Sequence, residues 1–476
     1  MNLHTVNIII KREYLTRVKK KSFIITTFLV PLLFVVLCTL PTLIMTMAKE
    51  EAKKIAVVDK SGIVAPALEN TATMSFTQYP DADPETIKSS LDSIGMDAFR
   101  QKGFPFYTDN EVTVIPTGVQ KYQDLFESLQ QARKFIHMDY FKFQQDSICH
   151  ALFSILSEKA RQGVEVRIVY DSFGNRFSQL PLSDRYLDSL RSTGIQIWEY
   201  DRVRFPWINH LVKRNHHKIA VIDGEVVYTG GMNVADYYLH GKPSVGEWRD
   251  MHMKVRGPMV KGYERIFEDM WWRTTQERLD STRYILPDSA AGRVTMALVE
   301  RIPRKSPKVI RETYCIAIDN AQHLIQIVNP YATMVKSIHR SLIRALERGV
   351  RVQIMASTVG DGPITPDVVG QEMHKLMKHG AEVFYYDGGF HHSKVMMVDG
   401  LFCTIGTANL DARSLRYDFE VNAFIFDRKV THELQDIFYR DIHKHCVLLT
   451  SDNWKLRFPL KRRVSGRFFG SIKGFL

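Results

Sequence analysis

The stretch Asn215–Asp223 reads NHHKIAVID, and His392–Asp399 repeats its pattern as HSKVMMVD. Both copies contain a histidine, one residue, a lysine, four residues and an aspartate. Six residues later each copy reaches a turn of small residues that ends in asparagine, GGMN at Gly230–Asn233 and GTAN at Gly406–Asn409. Two copies that agree over this whole length indicate an internal duplication.

The histidine and the lysine of each copy are predicted to act together on a phosphate. Apolar residues alternate after the lysine, which predicts a short strand, so His216 and Lys218 project from one face, as do His392 and Lys394. A neutral histidine can attack phosphorus, a protonated histidine can protonate a leaving alkoxide, and lysine supplies positive charge. One such histidine alone would more often be structural; the duplication favours a phosphodiester site that requires no metal.

The other residues of the two copies have predicted supporting roles. The small-residue turns bring backbone amides and the side chains of Asn233 and Asn409 towards the same phosphate. Asp223 and Asp399 are each followed by glycine, a common hairpin turn, and are interpreted as structural supports rather than as an acid or a base. The adjacent histidines, His217 and His391, should point to the opposite face and are left out of catalysis.

The doubled pattern resembles the phospholipase D superfamily. Three other sequence segments resemble its bacterial cardiolipin synthase branch: FPFYTDN at 104–110, NPY at Asn329–Tyr331 and TANLDARSLRYDFEVN at 407–422. The resemblance covers residue 104 onward. It implies a phosphatidyltransferase that needs no cofactor and that joins two phosphatidylglycerols through a phosphohistidine. It implies His216 as the nucleophile and His392 as the acid and base, an order that the sequence alone leaves open. Hydrolysis by water, or transfer to serine, is the alternative within the same family.

Two further carboxylates are candidates to orient the histidines. Glu420 follows His392 by 28 residues, and Asp250 follows His216 by 34. Each is expected to accept the ring N–H of the histidine that precedes it and so to fix its tautomer. The resemblance favours Glu420 more than Asp250, and an ordinary surface carboxylate is the alternative for both.

The length of the chain allows a large hydrophobic core, and its net positive charge favours binding to an anionic partner. The chain has 476 residues and a net charge of +12, which suits an anionic membrane surface, a phosphate-bearing substrate or nucleic acid. Its five cysteines show no paired spacing, which argues against a disulfide framework or a zinc site. The oligomeric state is open.

The N-terminal region predicts a membrane anchor. Residues 22–47 carry no charged side chain and are long enough to span a bilayer, and the basic residues before them favour a cytoplasmic N-terminus. With one span, the rest of the chain would lie outside the cytoplasm of a bacterial cell with its anchor in the inner membrane, whereas the pair of helices usual in cardiolipin synthases would return it. This start also resembles that of bacterial ABC-transporter permeases, so a transporter component is a second alternative.

From residue 104 the sequence predicts an α/β fold of two similar phospholipase D-type lobes. A helix, a glycine and a buried strand recur around Gly163 and Gly349, which is typical of a parallel sheet. We therefore expect mixed, largely parallel sheets, a pseudo-twofold axis and an active site between the lobes, preceded by one transmembrane helix. The predicted segments are a basic N-terminus 1–21, a transmembrane helix 22–47, a linker 48–103 with one strand at Lys54–Asp59 and otherwise little structure, lobe 1 at 104–290, lobe 2 at 291–450 and a basic amphipathic tail 451–476.

Basic residues are interleaved with aromatic ones in Arg202–Arg214 and in the tail from Trp454 to Leu476. Such composition suits an interface rich in anionic lipid, and it also suits single-stranded nucleic acid. The predicted anchor favours phospholipid, in particular phosphatidylglycerol, and we expect no nucleic acid partner.

Overall fold

The computed structural model describes strands 53–57 and 74–78 and residues 96, 98–100, 102–203, 212–286 and 288–471. The chain forms two compact units, residues 1–89 and 90–476. In the first unit, β1 (Lys53–Val57) and β2 (Met74–Gln78) pair in parallel. The strand predicted at Lys54–Asp59 is thus present as β1. The predicted linker contains more regular structure than expected, since β2 is added and Phe99 near its end is buried in the core of the second unit.

The first half of the large unit alternates strands with helices. Its strands are β3 (Phe106–Ile115), β4 (Phe135–Tyr140), β5 (Glu165–Asp171), β6 (Gln196–Tyr200), β7 (Lys218–Ile222), β8 (Val226–Gly230), β9 (Glu247–Arg249) and β10 (His252–Arg256). Its helices are α1 (Gly118–Gln131), α2 (Ser147–Arg161), α3 (Ser172–Arg176), α4 (Asp184–Arg191), α5 (Tyr237–His240) and α6 (Val260–Thr275), followed by a 3₁₀ turn at Ser281–Arg283.

The second half repeats this alternation and adds a C-terminal extension. Its strands are β11 (Val294–Arg301), β12 (Leu324–Val328), β13 (Arg351–Ser357), β14 (Glu382–Tyr386), β15 (Gly389–His391), β16 (Val395–Val398), β17 (Phe402–Gly406), β18 (Glu420–Phe426) and β19 (Cys446–Leu448). Its helices are α7 (Val309–Asn320), α8 (Lys336–Glu347), α9 (Thr365–Lys378), α10 (Ala412–Arg416), α11 (Arg428–His445), α12 (Ser451–Arg457) and α13 (Leu460–Ser471).

Fifteen strands form one mixed sheet in the order β19-β14-β13-β12-β16-β17-β18-β11-β3-β10-β8-β7-β4-β5-β6. The α/β class and the mixed sheet are as predicted. Only the β4-β5-β6 and β12-β13-β14 neighbours are parallel within this described sheet, so the expectation of largely parallel sheets is wrong. The physical reason is that the strand after each lysine turns back through a tight hairpin, β7 to β8 and β16 to β17, which only antiparallel strands can do.

Glycine ends the helices that precede the buried parallel strands. Gly163 after α2 and Gly349 after α8 have φ values of 89° and 85°, a conformation that residues with a Cβ rarely adopt. The strands that follow, β5 and β13, are buried along almost their whole length. The helix, glycine and strand pattern predicted from the sequence is therefore present in both halves.

The two halves share a continuous hydrophobic core as well as the sheet. β3 and β11 pair with each other at the centre of the strand order. One core cluster contains side chains of both halves, among them Ile219, Met253, Met397 and Ile405. This packing fixes the two duplicated motifs relative to each other within residues 90–476.

The C-terminal tail packs against the second half. Trp454 and Phe458 are 4% and 1% exposed, and the Trp454 ring stacks on His374 of α9 at 3.9 Å between ring centroids. These two aromatic residues are therefore core residues and not part of a lipid-facing surface, which corrects part of the expectation for the tail. The side chain of Phe468 remains 66% exposed.

Several predictions fall on residues outside the described ones. They concern the basic N-terminus 1–21, the transmembrane helix 22–47, residues 204–211 of the basic and aromatic segment, and the tail beyond residue 471. Among the residues that the structure describes, no helix is both long and apolar enough to span a bilayer.

Candidate active site

Each motif histidine is attached through its backbone to the opposite half of the unit. The amide of His216 donates to the carbonyl of Phe419 at 3.0 Å, and the amide of His392 donates to the carbonyl of Arg249 at 2.5 Å. Glu420 and Asp250 are the residues that follow these two carbonyls. Each backbone contact therefore brings a carboxylate beside a histidine ring.

The carboxylates are exchanged between the halves. His216 Nδ1 lies 3.0 and 3.1 Å from the two oxygens of Glu420, and His392 Nδ1 lies 2.6 Å from Asp250 Oδ2. The sequence identified both carboxylates correctly, but the predicted partners are wrong, since each histidine takes its carboxylate from the other half. Proximity along the chain misled the prediction because the contact is made by two parallel backbone segments from different halves.

Burial and charge set the protonation of the first pair. Burial lowers the pKa of His216 to about 4, against the opposing charge of Glu420. Burial alone would raise the pKa of Glu420, but the charge and hydrogen bond of His216 and the charge of Lys218 lower it to about 2. Near neutral pH, His216 is thus an uncharged imidazole whose Nδ1–H points at a carboxylate, which leaves Nε2 with a free lone pair.

The second pair is more enclosed. Burial, followed by the charge of Lys394, lowers the pKa of His392. Asp250 is fully buried, and the charges of Lys394 and His392 outweigh burial and lower its pKa. Trp248 packs against the His392 ring at 5.3 Å between ring centroids. His392 is therefore a neutral, oriented imidazole that can accept a proton and return it.

The two lysines are buried close to the histidines. Lys218 Nζ donates to the carbonyl of His216 at 2.7 Å, and Lys394 Nζ lies 2.8 and 3.1 Å from the ring nitrogens of His392. Burial lowers the pKa of Lys218 to about 7 and that of Lys394 to about 8. A buried ammonium group is stabilised by an anion, so a phosphate between the two lysines would restore their full charge.

Asp223 and Asp399 lie at the far ends of their strands and hold the backbone. The Asp223 carboxylate accepts from the amides of Arg133, Lys134 and Phe135 at 2.7–2.9 Å. The Asp399 carboxylate likewise accepts from the backbone amides of residues 322–324 at 2.7–2.8 Å. Both aspartates have positive φ values, 55° and 54°, as the first residue of a tight Asp-Gly turn. These contacts agree with the prediction that both aspartates are structural supports.

Asn233 and Asn409 each present an unpaired amide oxygen. Both residues are 6% exposed, and neither Oδ1 has a hydrogen-bond partner among the described residues. Asn409 lines the same cavity as His216. Lys121 and Tyr122 of α1 fix the turn at Asn233, because both donate to its carbonyl at 3.0 Å. Unpaired buried polar atoms are costly unless a ligand completes them, which agrees with the predicted contact to substrate.

The neighbouring histidines point away, as predicted. His217 Nδ1 bonds Asp139 at 3.0 Å, and His391 Nε2 bonds Asp441 at 3.2 Å. Both side chains are fully enclosed in the protein. They therefore contribute to packing on the face opposite the catalytic pairs.

A cavity of about 250 Å³ lies between the halves. His216 opens directly into it, and Tyr331 in its wall meets the His392 ring edge-on, at 5.9 Å between centroids. The sequence did not single out most of its wall, although the segment TANLDARSLRYDFEVN contains five of these residues. The lining is Phe141, His216, Tyr331, Thr333, Thr365, Asn409, Asp411, Arg413, Ser414 and Asp418.

The polar wall of this cavity contains acids that bind protons readily. Burial raises the pKa of Asp411 to about 7 and that of Asp418 to about 7. Asp418 accepts from the Arg214 amide and from Arg413 Nε, both at 3.0 Å. Within the described residues, no cluster of three or more histidine, cysteine or acidic side chains could hold a metal ion.

Two histidines held by carboxylates and two buried lysines lie together, and His216 and Asn409 line the cavity. This is the arrangement expected of an enzyme that transfers phosphoryl groups through histidine. The family described as "Cardiolipin synthase, PLD-like domain" matches residues 125–271 and 314–442. The chain belongs to this family, and it is a phosphatidyltransferase of the phospholipase D superfamily. The resemblance seen in the duplicated motif is thereby confirmed.

Named relatives agree with this family. A cardiolipin synthase of Geobacillus kaustophilus (strain HTA426) is 33% identical over 77% of this chain and 73% of its own length. One from Listeria monocytogenes serotype 4b (strain CLIP80459) is 31% identical over 82% of this chain and 80% of its own. The crystal structure of phosphatidylserine synthase from Haemophilus influenzae Rd KW20 has a TM-score of 0.63 at 14% identity, covers 80% of this chain and all of its own, and shows a shared fold.

Proposed function

We propose that the chain joins two phosphatidylglycerol molecules into cardiolipin and releases glycerol. The observation that carries this proposal is the pair of neutral histidines, each with its Nδ1 held by a buried carboxylate of the opposite half. A transfer with two chemically similar steps needs one group that attacks phosphorus and another that moves protons in both directions. The site supplies one histidine for each task.

In the first step, His216 Nε2 attacks the phosphorus of the donor phosphatidylglycerol. The bond from phosphorus to the glycerol oxygen breaks as the P–N bond forms. His392, neutral in the empty site, takes up a proton when the anionic donor offsets the neighbouring charge of Lys394, and it gives this proton to the departing glycerol. His216 takes the nucleophilic role because burial keeps it uncharged and its ring lines the cavity. Lys218 and Lys394 stabilise the charge on the phosphoryl oxygens.

In the second step, a primary hydroxyl of another phosphatidylglycerol attacks the phosphohistidine. The neutral His392 takes the hydroxyl proton, the P–O bond forms, and the P–N bond to His216 breaks. This returns both histidines to their starting states. Glu420 and Asp250 stabilise the imidazolium that forms on each histidine in turn, as buried carboxylates do in other histidine sites.

The two halves are proposed to be phospholipase D-like lobes related by a pseudo-twofold axis. The sheet has the same strand order from β3 to β6 and from β11 to β14. Each half runs from the long strand through one antiparallel strand, β10 or β18, and the hairpin pair to three parallel strands. The exchanged carboxylates support this relationship, because each half makes the same contact to the other.

The protein is further proposed to work on a bacterial inner membrane, anchored by residues 22–47 with the N-terminus in the cytoplasm. The tail supports a membrane setting through an exposed apolar stripe at every fourth residue: Leu456, Leu460, Val464 and Phe468. Lys455, Lys461 and Arg467 are also exposed beside it. Apolar and basic side chains exposed together on two consecutive helices, α12 and α13, suit anionic phospholipid.

The activity is tested by incubating the purified full chain with phosphatidylglycerol alone and analysing the lipids by mass spectrometry. Cardiolipin and glycerol in equal amounts are expected. Phosphatidic acid as the sole product would show a hydrolase instead, and phosphatidylserine formed only when serine and a suitable donor are added would show a serine transferase. His240→Ala, an exposed histidine at the end of α5, serves as the matched control for histidine variants and should retain activity.

The membrane side is tested with reporters fused after the last residue. Alkaline phosphatase activity is expected from an external catalytic unit. A fluorescent cytoplasmic reporter without phosphatase activity would reverse the proposed orientation.

A further inference from the structure

The second phosphatidylglycerol brings a phosphate that must be bound but not attacked. In the proposed reaction, Lys218 and Lys394 face the reacting phosphate of the donor. The acceptor carries its own phosphodiester, separated from the attacking hydroxyl by a single glycerol unit. An enzyme that prefers this acceptor over glycerol or water therefore needs a second anion site close to His392.

Two half-buried lysines of the first half lie beside the active site without an anionic partner. Lys142 Nζ is 5.6 Å from the centroid of the Tyr237 ring, and Lys242 Nζ is 4.8 Å from the same centroid. Lys242 also lies 5.3 Å from the centre of the Trp248 ring. Within the described residues, neither ammonium group makes a hydrogen bond or an ion pair, although lysine normally keeps its charged end in water or paired.

Both lysines are fixed next to groups already placed in the site. The carbonyl of Lys142 accepts from the amide of Val234, directly after Asn233, and the preceding residue Phe141 lines the cavity. Lys242 begins a small hairpin in which it exchanges backbone hydrogen bonds with Gly246 at 2.7 and 2.8 Å. Trp248, which contacts Lys242, packs on the ring of His392.

The charges around the two lysines leave room for one more anion. Burial, and then the charge of Lys242, lower the pKa of Lys142 to about 8. Asp361 and Asp146 oppose this effect from the facing loop and from the start of α2. Asp361 already accepts from the hydroxyl of Tyr331, and Asp146 accepts from the amides of Asp236 and Cys149. Neither carboxylate is within ion-pair distance of either lysine.

In the described part of the second half, no lysine pair corresponds to this one. Through the equivalent sheet registers, Lys142 corresponds to Tyr331, whose side chain covers His392. The chain between Asn233 and Asp250 is six residues longer than that between Asn409 and Glu420, and Lys242 lies in this longer connection. The lysine pair thus distinguishes the two sides of an otherwise duplicated site.

We propose that Lys142 and Lys242 form a subsite for the phosphodiester of the acceptor phosphatidylglycerol, with Tyr237 and Trp248 as its walls. This inference rests on the proposed function. It makes the first half the acceptor side and explains how one lipid class can enter twice, once as donor and once as acceptor. Two ammonium groups around one phosphate would relieve their mutual repulsion on binding.

The test compares an anionic acceptor with a neutral one that uses the same donor site. Lys142→Gln, Lys242→Gln and the double variant are assayed for cardiolipin formation and, separately, for exchange of isotopically labelled glycerol into phosphatidylglycerol. Loss of a charged contact to phosphate is expected to slow cardiolipin formation about tenfold or more in the double variant, while glycerol exchange stays within about twofold.

Equal losses in both assays, or no loss in either, would overturn the subsite. Lys142→Arg with Lys242→Arg should recover cardiolipin formation, which excludes a folding defect as the cause, and Lys134→Gln at the far end of β4 is the matched control. Failure of the proposed function would give a different result, because the unaltered protein would then make no cardiolipin. The lysine variants could still be compared with the unaltered protein on the product that it does make.

Discussion

The two halves of residues 90–476 share the histidine and lysine pairs to which we assign the chemistry, and they differ in the side chains around those pairs. In both, a histidine precedes a lysine on a buried strand, an aspartate holds the far end of that strand, and a carboxylate is delivered to the other half's histidine. Each half thus contains half of each catalytic pair. Neither half could perform the chemistry alone, because each histidine would lose the group that fixes its tautomer.

The surroundings of the two histidines are not alike. The first half contributes the half-buried lysines Lys142 and Lys242, whereas the second half contributes Asp411, Arg413 and Asp418 to the cavity wall. The difference teaches that duplication can preserve the reaction centre while the connections around it diverge. The predictions below probe this division between shared chemistry and divergent surroundings.

The largest expected effect follows from removing either histidine. His216→Ala and His392→Ala should each lower cardiolipin formation by several orders of magnitude, since each removes a group needed in both steps. The two variants should nevertheless behave differently with a phosphatidyl ester of p-nitrophenol, a leaving group that needs no proton. His392→Ala should give a burst of one p-nitrophenolate per enzyme and His216→Ala none, measured by stopped-flow absorbance. A burst in His216→Ala alone would exchange the two roles.

The next effect tests the exchange of carboxylates. Glu420→Gln should slow attack by His216 by about two to three orders of magnitude, because the amide no longer stabilises the imidazolium. Asp250→Asn should leave the p-nitrophenolate burst nearly intact and slow the proton-dependent steps instead. Burst amplitudes and rates of the two variants provide the measurement. If Asp250→Asn slowed the burst and Glu420→Gln left it intact, each carboxylate would serve the histidine of its own half.

A smaller effect concerns the charge of the two lysines. Their pKa values are lowered to about 7 and about 8, so the empty site loses positive charge as the pH rises through that range. Affinity for dimethyl phosphate, whose own charge is constant there, should fall by up to about tenfold per pH unit for each proton coupled to binding. Isothermal titration calorimetry at pH 6 to 9 measures this, and Lys218→Gln should flatten the slope.

The same lysines should affect the stability of the empty protein in the opposite direction. Above their folded pKa values they are neutral in the fold but still protonated when unfolded, so the unfolded state binds more protons. Their contribution to the free energy of unfolding therefore rises with pH between about 7 and the unfolded lysine value of about 10.4. Comparing thermal melts of the unaltered chain and of Lys218→Gln with Lys394→Gln isolates this contribution. A slope unchanged by the substitutions would contradict the lowered pKa values.

The smallest effect on activity is expected at the two aspartates of the hairpin turns. Asp223→Asn and Asp399→Asn keep the turn conformation but replace the carboxylate with an amide. The amide accepts less strongly from the three backbone N–H groups that face it. Each should reduce the free energy of unfolding by about 1–3 kcal/mol, measured by denaturant titration. Turnover at low temperature should stay within about twofold, and a specific loss of turnover in a fully folded variant would place the aspartate in the chemistry instead.

Much of the site could be predicted because its signals are local. Strand alternation placed His216 with Lys218 on one face and turned His217 towards Asp139 on the other. The Asp-Gly pair after the strand likewise indicated a turn, which the structure has. The tail shows the limit of such reasoning, because Trp454 and Phe458 look like interfacial residues in sequence and are buried against α9 in the fold.

By itself the sequence singled out the two histidine and lysine pairs that the fold brings together, because a duplicated pattern of histidine, lysine and asparagine requires no knowledge of what lies across the fold. Only the tertiary structure decided which carboxylate serves which histidine and which side chains wall the cavity. Those choices depend on Phe419 and Arg249, whose carbonyls accept from His216 and His392 across the boundary between the halves. Hydrogen bonds between segments far apart in the chain leave no periodic signal in either segment, so the exchange becomes visible only when both halves are folded together.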